Sequence, residues 1–206
     1  MTYVQIKLII AGEGHVGKTC LGLRYKNKEK DLSNETPSVF EAFVHEVEHP
    51  VEMRRGNETI KLEVTDVDVS DAYPDYEGPL ADHGASVFLL CKSVCDRYNK
   101  GEGWRYDPDI LYWNWPVILV GNKSDLRDQD NQVKIEVGDE IHTFDEGVEL
   151  AREIGAAAPW KSTVEYMECS AKTGEGVEEL FKRAAEIGFG HYVQSQPKSC
   201  LSCHIL

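Results

Sequence analysis

The sequence predicts one α/β domain whose mostly parallel β-sheet is covered by helices on both faces. Apolar runs with the length of buried strands recur along the chain, at 3–11, 62–69, 87–91, 117–121 and 164–169. The segments between most of them have crossover length and several contain helical patterns, which is typical of parallel strands. Because ligands of such sheets bind beyond the carboxyl ends of the strands, functional residues are expected there.

The predicted helices begin and end at recognisable residues. Thr143 and Glu146 have the spacing of a capping box, so a helix is expected over 143–155 with Gly155 closing it in the left-handed conformation. The last helix carries an apolar stripe at i, i+3 and i+4 spacing, formed by Val177, Leu180, Phe181, Ala184 and Ile187. Such a stripe predicts a core-facing side and no further function.

Length and composition agree with a globular domain. The chain has 206 residues, of which 41% are apolar and 28% charged. A chain of this length buries enough surface to fold without disulfides or metal. No apolar run reaches the roughly 20 residues of a membrane-spanning helix, and the first residues lack a signal-peptide pattern. The six cysteines are therefore expected to be reduced thiols, without zinc-site spacing.

The charge balance excludes some classes of partner. With 22 basic against 36 acidic residues the net charge is −14. This argues against nucleic acid, whose affinity depends on Lys and Arg neutralising phosphates, and against electrostatic attraction to anionic lipids. Small anionic ligands remain compatible with the sequence, because backbone N–H groups bind them locally whatever the net charge.

The strongest motif follows the first predicted strand directly. Residues 12–19 read GEGHVGKT and match G-x-x-x-x-G-K-[ST], the phosphate loop of P-loop NTPases. Glycines let the backbone N–H groups turn toward a phosphate, and the following helix adds its positive end. We expect Lys18 to reach the outer phosphates and assist catalysis, and the Thr19 hydroxyl to hold Mg²⁺. The predicted nucleotide-binding residues of this segment are Glu13, Gly14, His15, Val16, Gly17, Lys18, Thr19 and Cys20.

Two alternatives belong to this motif. The whole segment could be a glycine-rich strand-to-helix turn with a surface lysine. Within the loop, a metal or catalytic role for the His15 side chain competes with a solvent-facing imidazole, and the motif favours the latter because it leaves that position free.

A second and a third motif predict a pocket for a base. The buried run 117–121 ends in Asn122-Lys123-Ser124-Asp125. A carboxylate such as Asp125 can accept hydrogen bonds from N1–H and the N2 amino group of guanine, whereas adenine has no N1–H. Lys123 can lay its aliphatic stem over the base. The run 164–169 ends in further candidates, Ser170, Ala171 and Lys172, whose backbone N–H groups could meet the guanine carbonyl. A simple polar turn is the alternative at Asn122.

Together these motifs resemble the Ras superfamily of small GTP-binding proteins, and in detail the Rho family (Rho/Rac-like). PSVFE at 37–41 resembles the Rho-type first switch, EYMECSAK at 165–172 the Rho segment at the same place, and 128–145 is long enough for the Rho insert. The resemblance implies a small G-protein fold in a G domain at 1–193, and a flexible tail at 194–206. It also implies a GTPase that binds GTP or GDP with Mg²⁺ and signals to effectors.

The sequence departs from the family pattern at both switches. Ser38 replaces the family's threonine on Mg²⁺, and 30–33 lack the aromatic residue that stacks on guanine. Asp66 is retained and can support Mg²⁺ through a water, but Val69 replaces a glycine near the γ-phosphate. Ser70 stands where the family's glutamine orients the attacking water, so hydrolysis is expected to be slow.

Two other classes compete with a slow GTPase. One is a GTPase-deficient binding module that stays GTP-bound and is regulated by lipidation or abundance, which Val69 and Ser70 favour. The other is an ATP-dependent kinase or ATPase, which the Asn122, Lys123 and Asp125 pattern disfavours.

The C-terminus predicts a lipid anchor. Cys203-His204-Ile205-Leu206 fits C-a-a-X, and the final leucine favours geranylgeranylation of Cys203. Lys198 is the one basic residue of the tail, so Cys200 is the candidate for a second signal by palmitoylation. Weak anchoring, with a partner shielding the prenyl group, is the alternative. The resemblance implies the cytoplasmic face of a membrane, with plasma membrane expected, and signalling linked to the actin cytoskeleton.

The resemblance also implies partners of the Rho type. These are exchange factors, GTPase-activating proteins, dissociation inhibitors and effectors. Effectors would bind the segment Pro37, Ser38, Val39 and Phe40.

Overall fold

A computed structural model describes residues 2–27, 44–45, 50–55, 58–66, 85–95, 115–128, 140–157 and 164–195. Its seven strands are β1 (Thr2–Gly12), β2 (Val44–His45), β3 (Pro50–Arg55), β4 (Glu58–Asp66), β5 (Ala85–Ser93), β6 (Val117–Asn122) and β7 (Glu165–Glu168). They form one sheet in the order β2-β4-β1-β5-β6-β7, with β3 also paired to β4.

The sheet is mostly parallel, as the sequence predicts. Strand β1 pairs in parallel with β4 and β5, and the series continues in parallel through β6 to β7. Strands β2 and β3 run antiparallel to β4 and are absent from the predicted set of strands. The predicted run 62–69 corresponds to the end of β4, whose last residue is Asp66.

Helices cover both faces of the sheet, which confirms the predicted fold class. Helix α1 (Lys18–Lys26) and helix α3 (Val177–Ser195) pack on one face, where Leu21 and Phe181 join a cluster with the β1 residue Leu8. Helix α2 (Phe144–Ala157) packs on the other face, where Ile154 contacts a cluster containing Ile9. Successive β1 residues therefore belong to opposite faces, as expected for a central strand. Helix α3 runs through Gln194 and Ser195, the first residues of the predicted tail.

The start of α2 confirms one expectation and its end corrects another. The Thr143 backbone N–H donates to Glu146 Oε2 at 2.6 Å, and the Glu146 N–H donates to Thr143 Oγ1 at 3.3 Å, which is a capping box. The prediction that Gly155 closes the helix is wrong, because α2 continues to Ala157 and Gly155 is buried within it. The alanines that follow Gly155 favour helix and extend it.

The carboxyl ends of the parallel strands meet at one edge of the sheet. Gly12 of β1 lies opposite Cys91 of β5, and Asn122 of β6 lies opposite Ser93 of β5. The phosphate motif and the Asn122 motif consequently start from the same edge. No described helix has the length and apolarity to cross a membrane. The four described cysteines, Cys20, Cys91, Cys95 and Cys169, are free thiols, as predicted.

Candidate nucleotide-binding site

The phosphate loop joins β1 to α1 through backbone conformations that favour glycine. Gly12 has φ 148° and Gly17 has φ 96°. A Cβ at Gly12 would lie 2.2 Å from the Cys91 carbonyl oxygen, and one at Gly17 would lie 2.6 Å from Asn122 Nδ2. His15 is exposed with φ 70°, a left-handed conformation that non-glycine residues adopt infrequently. The structure thus places the His15 imidazole toward solvent, as the motif favours.

Lys18 is held over the loop that precedes it. It is the first residue of α1, its side chain is buried, and its Nζ donates to the carbonyls of Gly12 and Glu13, both at 2.8 Å. Thr19 and Cys20 follow it in the first turn and are half-buried. The Lys18 ammonium therefore ties the start of α1 to the first residues of the loop, close to the positive end of the helix.

Asn122 connects the three motifs. It is fully buried. Its Nδ2 donates to the Val16 carbonyl at 2.9 Å, which ties it to the phosphate loop. Its Oδ1 accepts from the Lys123 N–H at 2.8 Å and from the Ala171 N–H at 3.2 Å. One side chain thus fixes the phosphate loop, the Lys123 turn and the Ala171 loop relative to one another.

Lys123 adds a second connection to the phosphate loop. It has φ 64° and precedes a short 3-10 helix (Ser124–Arg127), and its Nζ donates to the His15 carbonyl at 2.7 Å. The Lys123 side chain therefore extends from the end of β6 to the phosphate loop. Burial lowers the pKa of Lys123 to about 8, against the opposing effect of acidic groups that include Asp125.

Asp125 and the segment Ser170–Lys172 face one another. Asp125 is buried and its Oδ1 accepts from Ser170 Oγ at 2.6 Å. Lys172 Nζ lies 3.4 Å from Asp125 Oδ2. Ser170 Oγ also accepts from the Thr173 N–H at 3.1 Å, which shapes the turn after β7. The arrangement holds a carboxylate at a fixed position, as recognition of an N–H edge on a base requires.

Two residues that the sequence analysis missed support this site. Arg24 of α1 donates from Nε to the Ala171 carbonyl at 2.8 Å and from Nη2 to the Lys172 carbonyl at 2.5 Å. Lys92 of β5 pairs with Glu13. A signal existed for Arg24: it shares the buried stripe of α1 with Leu21 and Tyr25, and a buried arginine requires partners.

Several predicted site residues lie outside the described part of the chain. These are the switch residues Ser38, Val69 and Ser70, the effector residues Pro37, Val39 and Phe40, and the tail cysteines Cys200 and Cys203. The backbone of Asp66 is described and lies opposite Ile10 at the end of β4. Within the described ranges, no three His, Cys, Asp or Glu side chains are grouped to hold a metal.

A phosphate loop and a base-recognition turn at one edge of a parallel sheet define the class of P-loop nucleotide-binding proteins. The Ras family model matches residues 7–187. Rho-related protein racE of Dictyostelium discoideum is 35% identical over 191 residues, covering 89% of this chain and 77% of racE. Rho-related protein racC of Entamoeba histolytica is 32% identical over 202 residues, covering 96% of each chain. The chain therefore belongs to the Ras family, as a Rho-like small GTPase that binds GTP as a molecular switch.

Proposed function

We propose that this protein is a membrane-anchored Rho-like switch that cycles between GTP and GDP with Mg²⁺ and hydrolyses GTP slowly. The observation that supports a working nucleotide site is Asn122, whose buried amide joins the phosphate loop to both base-recognition segments. Slow hydrolysis rests on the sequence of the second switch, where Val69 and Ser70 replace the family's glycine and glutamine.

Two of the residues expected to serve Mg²⁺ lie on neighbouring elements of the domain. Thr19 lies in the first turn of α1 and Asp66 ends β4, the strand next to β1. Hydroxyl and carboxylate oxygens are the ligands that Mg²⁺ prefers. Ser38 would supply a second hydroxyl, and Asp66 would act through a water. When bound, Mg²⁺ neutralises charge on the β- and γ-phosphates.

Single-turnover hydrolysis tests the slow rate. GTP-loaded protein is incubated with Mg²⁺, and bound nucleotide is analysed over time. The double substitution V69G/S70Q should accelerate hydrolysis by about tenfold or more, because it returns the residue that positions water. The matched control S195Q introduces the same side chain at the end of α3. Ordinary small-GTPase hydrolysis by the unsubstituted protein would contradict the proposal.

A GTP-bound binding module is the second candidate function, and the same Val69 and Ser70 favour it. The two candidate functions differ in the nucleotide that the purified protein carries. If mass analysis finds GTP as the bound nucleotide and GTP turnover is negligible over hours, the protein is a binding module. Its activity is then regulated by lipidation or abundance and not by a cycle between GTP and GDP. If GDP accumulates and exchanges, the switch proposal holds.

Anchoring and partner binding are part of the proposal. We expect geranylgeranylation at Cys203, with Cys200 as a palmitoylation site, to hold the protein at the cytoplasmic face of a membrane. Rho-type exchange factors, activating proteins, dissociation inhibitors and effectors would act on it, the effectors through Pro37–Phe40. Mass analysis of the C-terminal peptide from expressing cells, with C203S as the control, tests the anchor. An unmodified Cys203 would contradict it.

A further inference from the structure

A buried ion pair links β5 to the phosphate loop. Lys92 Nζ lies 2.5 Å from Glu13 Oε1, and the Lys92 side chain is 5% exposed against 21% for Glu13. The pairing follows from the sheet register: Gly12, the last residue of β1, lies opposite Cys91, so the next residue of each chain segment is Glu13 in the loop and Lys92 in β5. The two residues are nevertheless 79 positions apart in the sequence.

A buried ion pair is an unusual contact if its role is only to stabilise the fold. A lysine is almost never this buried unless it is paired. A well-packed apolar pair is often as stable as a buried ion pair, because desolvation offsets the attraction of the charges. Stability therefore gives no strong reason for a charge on each side, and the position of the pair suggests another role.

Glu13 acts on the site through two groups at once. Its backbone carbonyl accepts a hydrogen bond from Lys18 Nζ at 2.8 Å, while its carboxylate is tied to Lys92. Its second oxygen, Oε2, is buried and has no hydrogen-bond partner among the described residues. The Lys92 ammonium is thus the group that compensates a carboxylate inside the loop that wraps the phosphates.

We propose that Lys92 is a positioning residue of the nucleotide site, which neutralises Glu13 within the phosphate loop and thereby favours retention of the triphosphate over the diphosphate. The proposal rests on GTP binding by this site. Without Lys92, an uncompensated carboxylate would remain in the loop, where electrostatic interactions are weakly screened. Repulsion would act more strongly on GTP than on GDP, because GTP carries about one more negative charge.

The test measures dissociation of fluorescent GDP and of a fluorescent non-hydrolysable GTP analogue from full-length protein with Mg²⁺. Lys92→Met should speed release of the GTP analogue by roughly five- to tenfold and that of GDP clearly less. Glu13→Gln should shift the ratio of the two rates in the opposite direction. Glu13→Gln/Lys92→Met should return the ratio toward that of the unsubstituted protein, and Lys92→Arg should keep it.

Control variants separate this role from a purely structural one. Arg183→Met removes an ion pair between Arg183 of α3 and Glu165 of β7, away from the loop, and should leave the ratio unchanged. Equal acceleration of both nucleotides by Lys92→Met, without rescue in the double variant, would overturn the proposal. If Lys92→Met does not fold, the opposite shift in Glu13→Gln carries the test, and its absence overturns the proposal. Unsubstituted protein that retained neither nucleotide would overturn nucleotide binding itself.

Discussion

Asn122 and Lys123 show how much of the site depends on single side chains at a strand end. Asn122 satisfies its amide entirely within the protein, with donors and acceptors from three separate segments. Lys123 instead reaches from a left-handed backbone position to the His15 carbonyl. The first residue fixes the frame of the site, and the second adds a charged group whose protonation responds to its surroundings.

At the residue scale, Lys123 should titrate well below an ordinary lysine. Burial lowers the pKa of Lys123 from 10.5 to about 8. The folded protein then releases this proton at lower pH than the unfolded chain, so stability gains a contribution as pH rises from about 8 to 10.5. We expect the ¹³C signal of methylated Lys123 in nucleotide-free protein to titrate near pH 8. The substitution K123M identifies the signal by removing it, and a midpoint near 10.5 would refute the expectation.

Helix termini set the geometry of the elements around the site. The capping box of Thr143 and Glu146 begins α2, and hydrogen bonds from Thr143 lower the pKa of the Glu146 carboxyl. Helix α1 begins at Lys18, where the end of the phosphate loop supplies its first carbonyl through Gly17. One helix is therefore stabilised by its own sequence, whereas the other begins where the functional loop ends.

At the element scale, the cap of α2 should contribute measurably to folding. T143A removes the hydroxyl that receives the Glu146 N–H and should lower the free energy of unfolding by about 1 kcal/mol. Urea denaturation measures the loss. E153A changes an exposed residue on the same helix and should have little effect. A loss in T143A no larger than in E153A would show that the cap is not needed.

Arg24 connects two elements, α1 and the loop after β7. R24M should speed nucleotide release, because the Ala171 and Lys172 carbonyls lose their shared donor and the loop opposite Asp125 loses its support. Leaving the buried Ala171 carbonyl unpaired costs about 1–3 kcal/mol, which corresponds to roughly five- to 150-fold in rate if the whole cost falls on nucleotide retention. Fluorescent GDP release measures it, with K26M at the end of α1 as the control. Equal rates for R24M and unsubstituted protein would exclude a role of Arg24 in retention.

On the scale of the whole molecule, the parallel sheet could be predicted because its central strands β1, β5 and β6 are largely buried and read as apolar runs. Strands β2 and β3 could not be predicted. The β2 sequence VH is too short, and the β3 sequence PVEMRR too charged, to be recognised as an apolar run. The motif residues could be assigned because phosphate binding fixes their spacing. The spacing of Arg24 from Leu21 on α1 indicates a core-facing position but not a partner, and nothing in the sequence marks Lys92. The partners of Arg24 and Lys92 lie 147 and 79 positions away and meet them only in the folded chain.

Nucleotide should also stabilise the whole domain. A ligand that binds only the folded state adds about 2.7 kcal/mol when present at 100 times its dissociation constant. We expect GDP with Mg²⁺ to raise the melting temperature by several degrees. Thermal unfolding followed by circular dichroism measures the shift, and ATP at the same concentration is the control. An equal shift with ATP would contradict guanine selectivity.

The reach of the Asn122 side chain also bears on how the protein folds. Its donor group bonds a carbonyl 106 positions earlier, and its acceptor receives an N–H 49 positions later. Contacts that close such long loops form late, after most of the chain entropy has been lost. We therefore expect the complete binding site to form late in folding. Acquisition of nucleotide during refolding would then report completion of the native topology rather than formation of any one strand or helix.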